Sequence, residues 1–271
     1  MMAPSAWTVL SAATLAAATA AAFGAEGEKA PAAPGPIRTV ILVGGHGYDT
    51  KNFDKAWSGH DDIQCEVWPG KPWTIFDDIA DFKFDVIVMY TMAGGMTPQQ
   101  RENLLALLKR GVGLVVWHHA LANCQDWPDW VKIAGGQYVV KDLEKNGKKL
   151  PRSGFKHGVD LKMHIEDPKH PITRGMADFE IHDETYNKQT FDPDIHVLVS
   201  TDHPASDKPI AWVPKTGKDA RVFTYQGGHD ATAWTNEGHR RLLAQGIRWV
   251  ARRLEKKSDK AEAATGPGAA K

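Results

Sequence analysis

The chain has little cysteine and no excess of either charge. Two cysteines among 271 residues exclude a disulfide scaffold and a Cys-rich zinc module. Lys plus Arg and Asp plus Glu both total 33, so the formal net charge is zero. Charges before residue 37 or after residue 254 cancel five against five, which leaves 28 against 28 between them. A general nucleic-acid binder needs a basic excess to displace counterions, and electrostatic attachment to a membrane surface needs basic residues too. Neither class fits. Beyond the N-terminal segment, no apolar stretch approaches the ~20 residues that cross a bilayer. Phosphate-loop spacing is missing as well. Gly44-Gly45-His46-Gly47 matches neither Gly-x-x-x-x-Gly-Lys-Ser/Thr nor Gly-x-Gly-x-x-Gly, which argues against nucleotide binding.

Histidine and tryptophan are plentiful, at 12 and 10 residues. The remainder is ordinary globular composition, 42% hydrophobic and 24% charged. Any chemistry should therefore involve imidazole.

Residues 1–25 carry no charged side chain, and the span from Trp7 to Phe23 is apolar and Ala-rich. Small residues Ala22 and Gly24 suit a signal peptidase, so this segment reads as a secretory signal peptide. The protein is then secreted or periplasmic, with no stable membrane span after cleavage. Residues 26–36 are rich in Ala, Pro and Gly and read as a linker. Residues 255–271 are dominated by small and charged residues and read as a disordered tail. The folded domain is residues 37–254.

Continuous apolar runs at 38–43, 84–90 and 113–117, with an alternating run at 63–68, predict strands. Helical segments should lie between them. Residues 98–110 are the clearest: Thr97 and Gln100 form a capping-box pattern, Pro98 sits at the first turn and Gly111 closes the helix. This alternation predicts a doubly wound α/β domain. The second half is more β-like, with strands predicted at 159–166, 196–201, 209–213 and 221–225. A last helix at 238–254 aligns Leu243, Ile247, Val250 and Leu254. Residues 141–156 are Lys-rich and read as an exposed loop.

Ligands of open α/β sheets bind beyond the carboxyl ends of the strands. His46 follows the first predicted strand, His118 and His119 the fourth, and His229 a late one. Three strands thus deliver imidazoles to one edge, with Tyr48 and Asp230 beside them. The spacings match no local metal motif, yet ligands from separate strands could hold a divalent ion, so a metal cofactor stays open. His182-Asp183-Glu184-Thr185-Tyr186 reads in two ways: a solvated acidic turn, or carboxylates and a phenol beside the imidazoles. Cys65 reads as a strand residue and Cys124 as a loop residue, with a disulfide between them left open. Trp127, Trp130 and Trp234 fall in predicted loops, where an aromatic face could stack on a sugar.

Over about residues 40–249 the chain resembles the ThuA-like, or trehalose-utilisation, family. The matching pieces are Gly113-Leu-Val-Val-Trp-His118-His119-Ala120, His170-Pro-Ile-Thr-Arg-Gly-Met176 and Asp183-Glu184-Thr185-Tyr186. Pro209-Ile-Ala-Trp-Val213, Arg221-Val-Phe-Thr-Tyr225 and Gly228-His229-Asp230 followed by Trp234 complete them. The resemblance implies a flavodoxin-like, class I glutamine-amidotransferase-like three-layer sandwich with a mostly parallel central sheet. In amidotransferases of that fold a nucleophilic Cys occupies the tight turn after a central strand. Here that turn carries His118, with Cys124 six residues later. Covalent glutamine hydrolysis then lacks its nucleophile, and the pure protein should release no ammonia from glutamine; measurable release would refute this.

The resemblance also implies a small sugar substrate, such as a disaccharide or its 3-keto derivative. The expected catalytic groups are His118, Glu184 and His229. Around them, His46, Tyr48, His119, Tyr186, Asp230 and Trp234 should bind substrate. A non-catalytic carbohydrate-binding module and a metal-dependent hydrolase are the competing readings, and association of identical copies stays open.

Overall fold

Strands covered on both faces carry apolar side chains at consecutive positions, and the runs read from the sequence form such strands. The computed structural model describes residues 35–145, 148–215 and 219–254. The expected signal peptide, the linker up to residue 34 and the C-terminal tail lie outside the described residues. β1 (Ile37–Gly44), β2 (Ile63–Val67), β3 (Val86–Thr91) and β4 (Gly113–Trp117) fall within two residues of expectation.

The connections correct the sequence reading. Short 3-10 turns, Phe53–Ala56 and Pro72–Phe76, replace the helices expected after β1 and β2. They serve as apolar cover, burying Phe53, Ala56, Trp73, Ile75 and Phe76. α1 (Pro98–Lys109) has the predicted capping box: the Gln100 amide donates to the Thr97 hydroxyl, and the Thr97 amide donates to the Gln100 side chain.

After α2 (Trp130–Ala134) and β5 (Gly136–Gln137), a hairpin of β6 (Leu143–Lys145) and β7 (Lys148–Leu150) stands where a loop was expected. β8 (Gly154–Ile165) starts five residues before its predicted strand. β9 (Phe179–Asn187) was not predicted, because its charges hide the pattern. β10 (Thr190–Phe191) pairs with β5. β11 (His196–Ser200), β12 (Pro209–Val213) and β13 (Val222–Tyr225) match prediction to within one residue. α3 (Ala231–Trp234) and α4 (Glu237–Val250) end the described fold; α4 buries Leu243, Ile247 and Val250 but stops short of Leu254.

Nine strands form one sheet in the order β2-β1-β3-β4-β13-β12-β11-β8-β9. The first five are parallel and reproduce the flavodoxin-like 2-1-3-4-5 order. The other four are antiparallel. Alternation along β1 sends Ile37 and Ile41 into one core with Val88, Trp117, Phe223 and α4. Val40 and Leu42 enter a second core with Ile87, Met89, Val116 and α1. This is the expected three-layer sandwich, with its strand-order reversal between β1 and β3.

Candidate functional site

The carboxyl ends of β1, β3, β4 and β13 converge because their turns are tightly constrained. Gly45 has φ +75°, and a Cβ there would lie 2.0 Å from the Met92 carbonyl oxygen. That close approach sets the loop after β1 against the loop after β3. It leaves the His46 ring stacked on His119, with centroids 4.8 Å apart. His118 follows β4 directly at φ +53°, a conformation uncommon for a residue with a side chain. At the end of β13, Gly228 has φ +110°, and a Cβ there would meet the Trp117 indole nitrogen at 2.4 Å. His229 comes next.

β9 completes the site. It lies four places from β13 in the sheet, yet the Asp183 carboxylate accepts the Gly228 and His229 amides at 2.6 and 2.9 Å. The β8–β9 ribbon therefore folds back over the carboxyl edge. Successive side chains point to opposite faces. Asp183 and Thr185 bind the β13 side, while Glu184 and Tyr186 face the histidines. The segment 182–186 is thus a buried strand rather than a solvated turn.

His118 is 1% exposed. Its Nδ1–H donates to the Gln226 carbonyl at 2.8 Å, which leaves Nε2 as an acceptor. Nε2 receives the Tyr186 hydroxyl at 3.1 Å and lies 3.1 Å from His229 Nδ1. A Glu184 carboxylate oxygen is 3.8 Å from His118 Nε2, and the other is 3.6 Å from His229 Nδ1. His157 Nδ1 approaches that second oxygen at 2.5 Å. Burial, reinforced by His119 and His229, drives the His118 pKa well below the ordinary histidine value. Burial and then His46 lower His119 to about 3, against a hydrogen bond to the Tyr90 backbone. His229 is lowered by burial against the opposing pull of Glu184. Burial and then Glu184 push the Tyr186 phenol well above its usual value, so it stays a donor. Burial raises the Asp183 carboxyl to about 7, although three backbone amides favour its ionised form.

A cavity of about 190 Å³ opens over this cluster, lined by His46, His118, His119, Glu184 and Tyr186 among the expected residues. His229 sits beside it through His118 and Glu184. Three expected residues are elsewhere. Tyr48 packs on Phe53 and Tyr90 beneath the site. Asp230 is exposed and caps α3 by accepting the Thr232 and Ala233 amides. Trp234 is fully buried, its indole donating to the Gly228 carbonyl, so it offers no platform. Trp127 and Trp130 are also buried. The free thiols rule out the disulfide left open. Cys65 is half-buried, and burial raises Cys124 to about 12, far from a nucleophilic thiolate.

The sequence missed Arg152, just before β8, and Phe155 and His157 at its start, all of which line the cavity. Phe155, 50% exposed, is the aromatic face that the tryptophans do not supply. The available signal was His157 two residues after Phe155, obscured by Lys156 and by Gly158 at the register shift before Val159.

A family model described as trehalose utilisation matches residues 71–250. A solved ThuA-like protein from Parabacteroides merdae is 18% identical, with a TM-score of 0.65 over 83% of this chain and 94% of its own. A ThuA-like protein from Bacteroides uniformis is 20% identical, with a TM-score of 0.59 over 84% of this chain and 97% of its own. A cytoplasmic protein from Salmonella typhimurium shares 11% identity, with a TM-score of 0.51 over 81% of this chain and 100% of its own. At these identities the likeness is one of fold. No curated protein matches the chain.

Proposed function

The chain belongs to the ThuA family, described by trehalose utilisation, and on that premise we propose that it is an exported enzyme acting on a disaccharide or keto-sugar. The observation that carries this reading is the meeting of His118, His229 and Glu184, with ligand atoms all within 4.8 Å, beside an open cavity that His118 and Glu184 line. Removing a proton from the carbon beside a keto group, by elimination or isomerisation, needs a base and an acid close together. Glu184 and His229 exchange those protons. His118 is fixed by the Gln226 carbonyl on one side and by the Tyr186 hydroxyl, which donates to its Nε2, on the other. Phe155 at the cavity wall offers a face for the sugar ring. Two opposed carboxylates, the usual requirement for simple glycoside hydrolysis, do not arise here: Asp183 points away from Glu184 and Asp230 caps a helix. Export is supported by the charge-free segment 1–25. Association of identical copies belongs to the same proposal.

The test is a panel of disaccharides and their 3-keto forms given to the pure protein. Turnover of a keto-sugar is expected, and Glu184→Gln and His229→Ala should each reduce it by roughly 10²–10⁴-fold. Full activity in both variants would reject the site. Binding without turnover, surviving both substitutions, would identify a carbohydrate-binding module instead.

A further inference from the structure

We propose that His118, His229 and Glu184 hold one divalent transition-metal ion. The argument begins with spacing. An ion about 2.0–2.2 Å from each nitrogen or oxygen ligand sets neighbouring ligand atoms roughly 3.0–3.5 Å apart. Here His118 Nε2 and His229 Nδ1 are 3.1 Å apart, and the Glu184 carboxylate oxygens approach them at 3.8 and 3.6 Å. Those are two different oxygens; taking one ligand atom from each residue, all three lie within 4.8 Å of one another, and a swing of the Glu184 carboxylate closes the coordination triangle.

Ligand chemistry points the same way. The Gln226 carbonyl takes the Nδ1–H of His118 and leaves Nε2 as the acceptor beside His229; it receives the Tyr186 hydroxyl, which an ion would displace. A backbone carbonyl on the far nitrogen is the usual support for a ligating histidine. His157 holds one Glu184 oxygen, and Asp183 anchors the His229 backbone, so each of the three groups has a supporting contact. Two imidazoles and one carboxylate with an open side match the facial arrangement of catalytic metal sites. That donor set suits zinc, iron, cobalt, nickel or manganese better than calcium, which takes six to eight oxygens. The open side faces the cavity, which His119 also lines. A water or substrate oxygen on the ion would face that histidine. This inference rests on the keto-sugar reading for the molecule that fills the open position; with Glu184 and His229 bound to it, the ion would replace their proton exchange by polarising the sugar carbonyl.

Untagged full-length protein is dialysed against a chelator and titrated calorimetrically with Zn²⁺, Co²⁺ and Mn²⁺, with elemental analysis of the product. One ion per chain is expected for at least one of these metals. Glu184→Gln and His229→Gln should each weaken binding by more than the roughly 10–100-fold typical of supporting residues. His157→Ala should fall within that smaller range. His182→Ala, on an exposed histidine paired with Asp160, should leave affinity unchanged. Circular dichroism confirms that each variant is folded. Absence of binding by all three metals, or binding that folded variants of Glu184 and His229 retain in full, overturns the site. Keto-sugar turnover by metal-free protein would remove the ion's catalytic role and leave the acid–base reading standing. One bound ion with no turnover of any sugar would do the reverse.

Discussion

A histidine at φ +53° costs of order 1–3 kcal/mol and persists only where its surroundings hold it. His118 is held by the Gln226 carbonyl, the Tyr186 hydroxyl and rings on either side. The sequence placed His118 at this turn because a continuous apolar strand stops at Trp117. It could not show that Nε2 would be the free nitrogen, since that depends on a carbonyl 108 residues away. A second buried histidine gives a measurable consequence. Burial lowers His239 to about 3, and the Tyr225 hydroxyl donates to its Nδ1 at 2.9 Å. The unfolded chain takes up a proton below about pH 6.5, while the folded chain does not until about pH 3. Stability therefore falls as pH drops through this window, by up to about 1.4 kcal/mol per unit for this residue. Chemical denaturation of His239→Gln between about pH 6 and pH 4 should show a slope shallower by about one proton. An unchanged slope would mean that His239 already carries its proton in the fold.

At the scale of elements, the parallel strands were legible because burial on both faces demands consecutive apolar residues. β9 was not, because four of its nine residues are charged or histidine at positions 180 and 182–184. A solvated turn has the same composition. Tertiary contacts decide the matter by giving the Asp183 carboxylate three amide donors, from Glu184, Gly228 and His229. Asp183→Ala leaves those buried amides unmatched and should cost about 3 kcal/mol. It should also displace His229 and lower activity. Denaturant unfolding measures the first effect, and a loss below about 1 kcal/mol would show that this link between β9 and β13 is dispensable. The 3-10 turns after β1 and β2 escaped the sequence for a related reason. Short apolar clusters such as 72–76 fill a gap over the sheet as well as a helix would, and composition does not separate the two.

For the whole molecule, balanced charge bears on how substrate arrives. With 33 charges of each sign there is no net field to steer an ion, so kcat/KM for an uncharged sugar should change less than about twofold from low to moderate salt. A steep fall with salt would point to an anionic sugar held at Arg152, which lines the cavity. The near absence of cysteine and of excess charge sets, from sequence alone, the expectations of no disulfide scaffold and no basic nucleic-acid surface, because those depend on composition. The apolar runs settled the α/β class, because burial on both faces is written into consecutive residues. Which histidines meet, which carboxylate faces them and which aromatic ring stays exposed was decided only by the tertiary structure. His118, His157, Glu184 and His229 come from four separate strands or strand ends and are joined by the ribbon folding back over the sheet edge. That closure depends on long-range hydrogen bonds to Asp183, which no local pattern records.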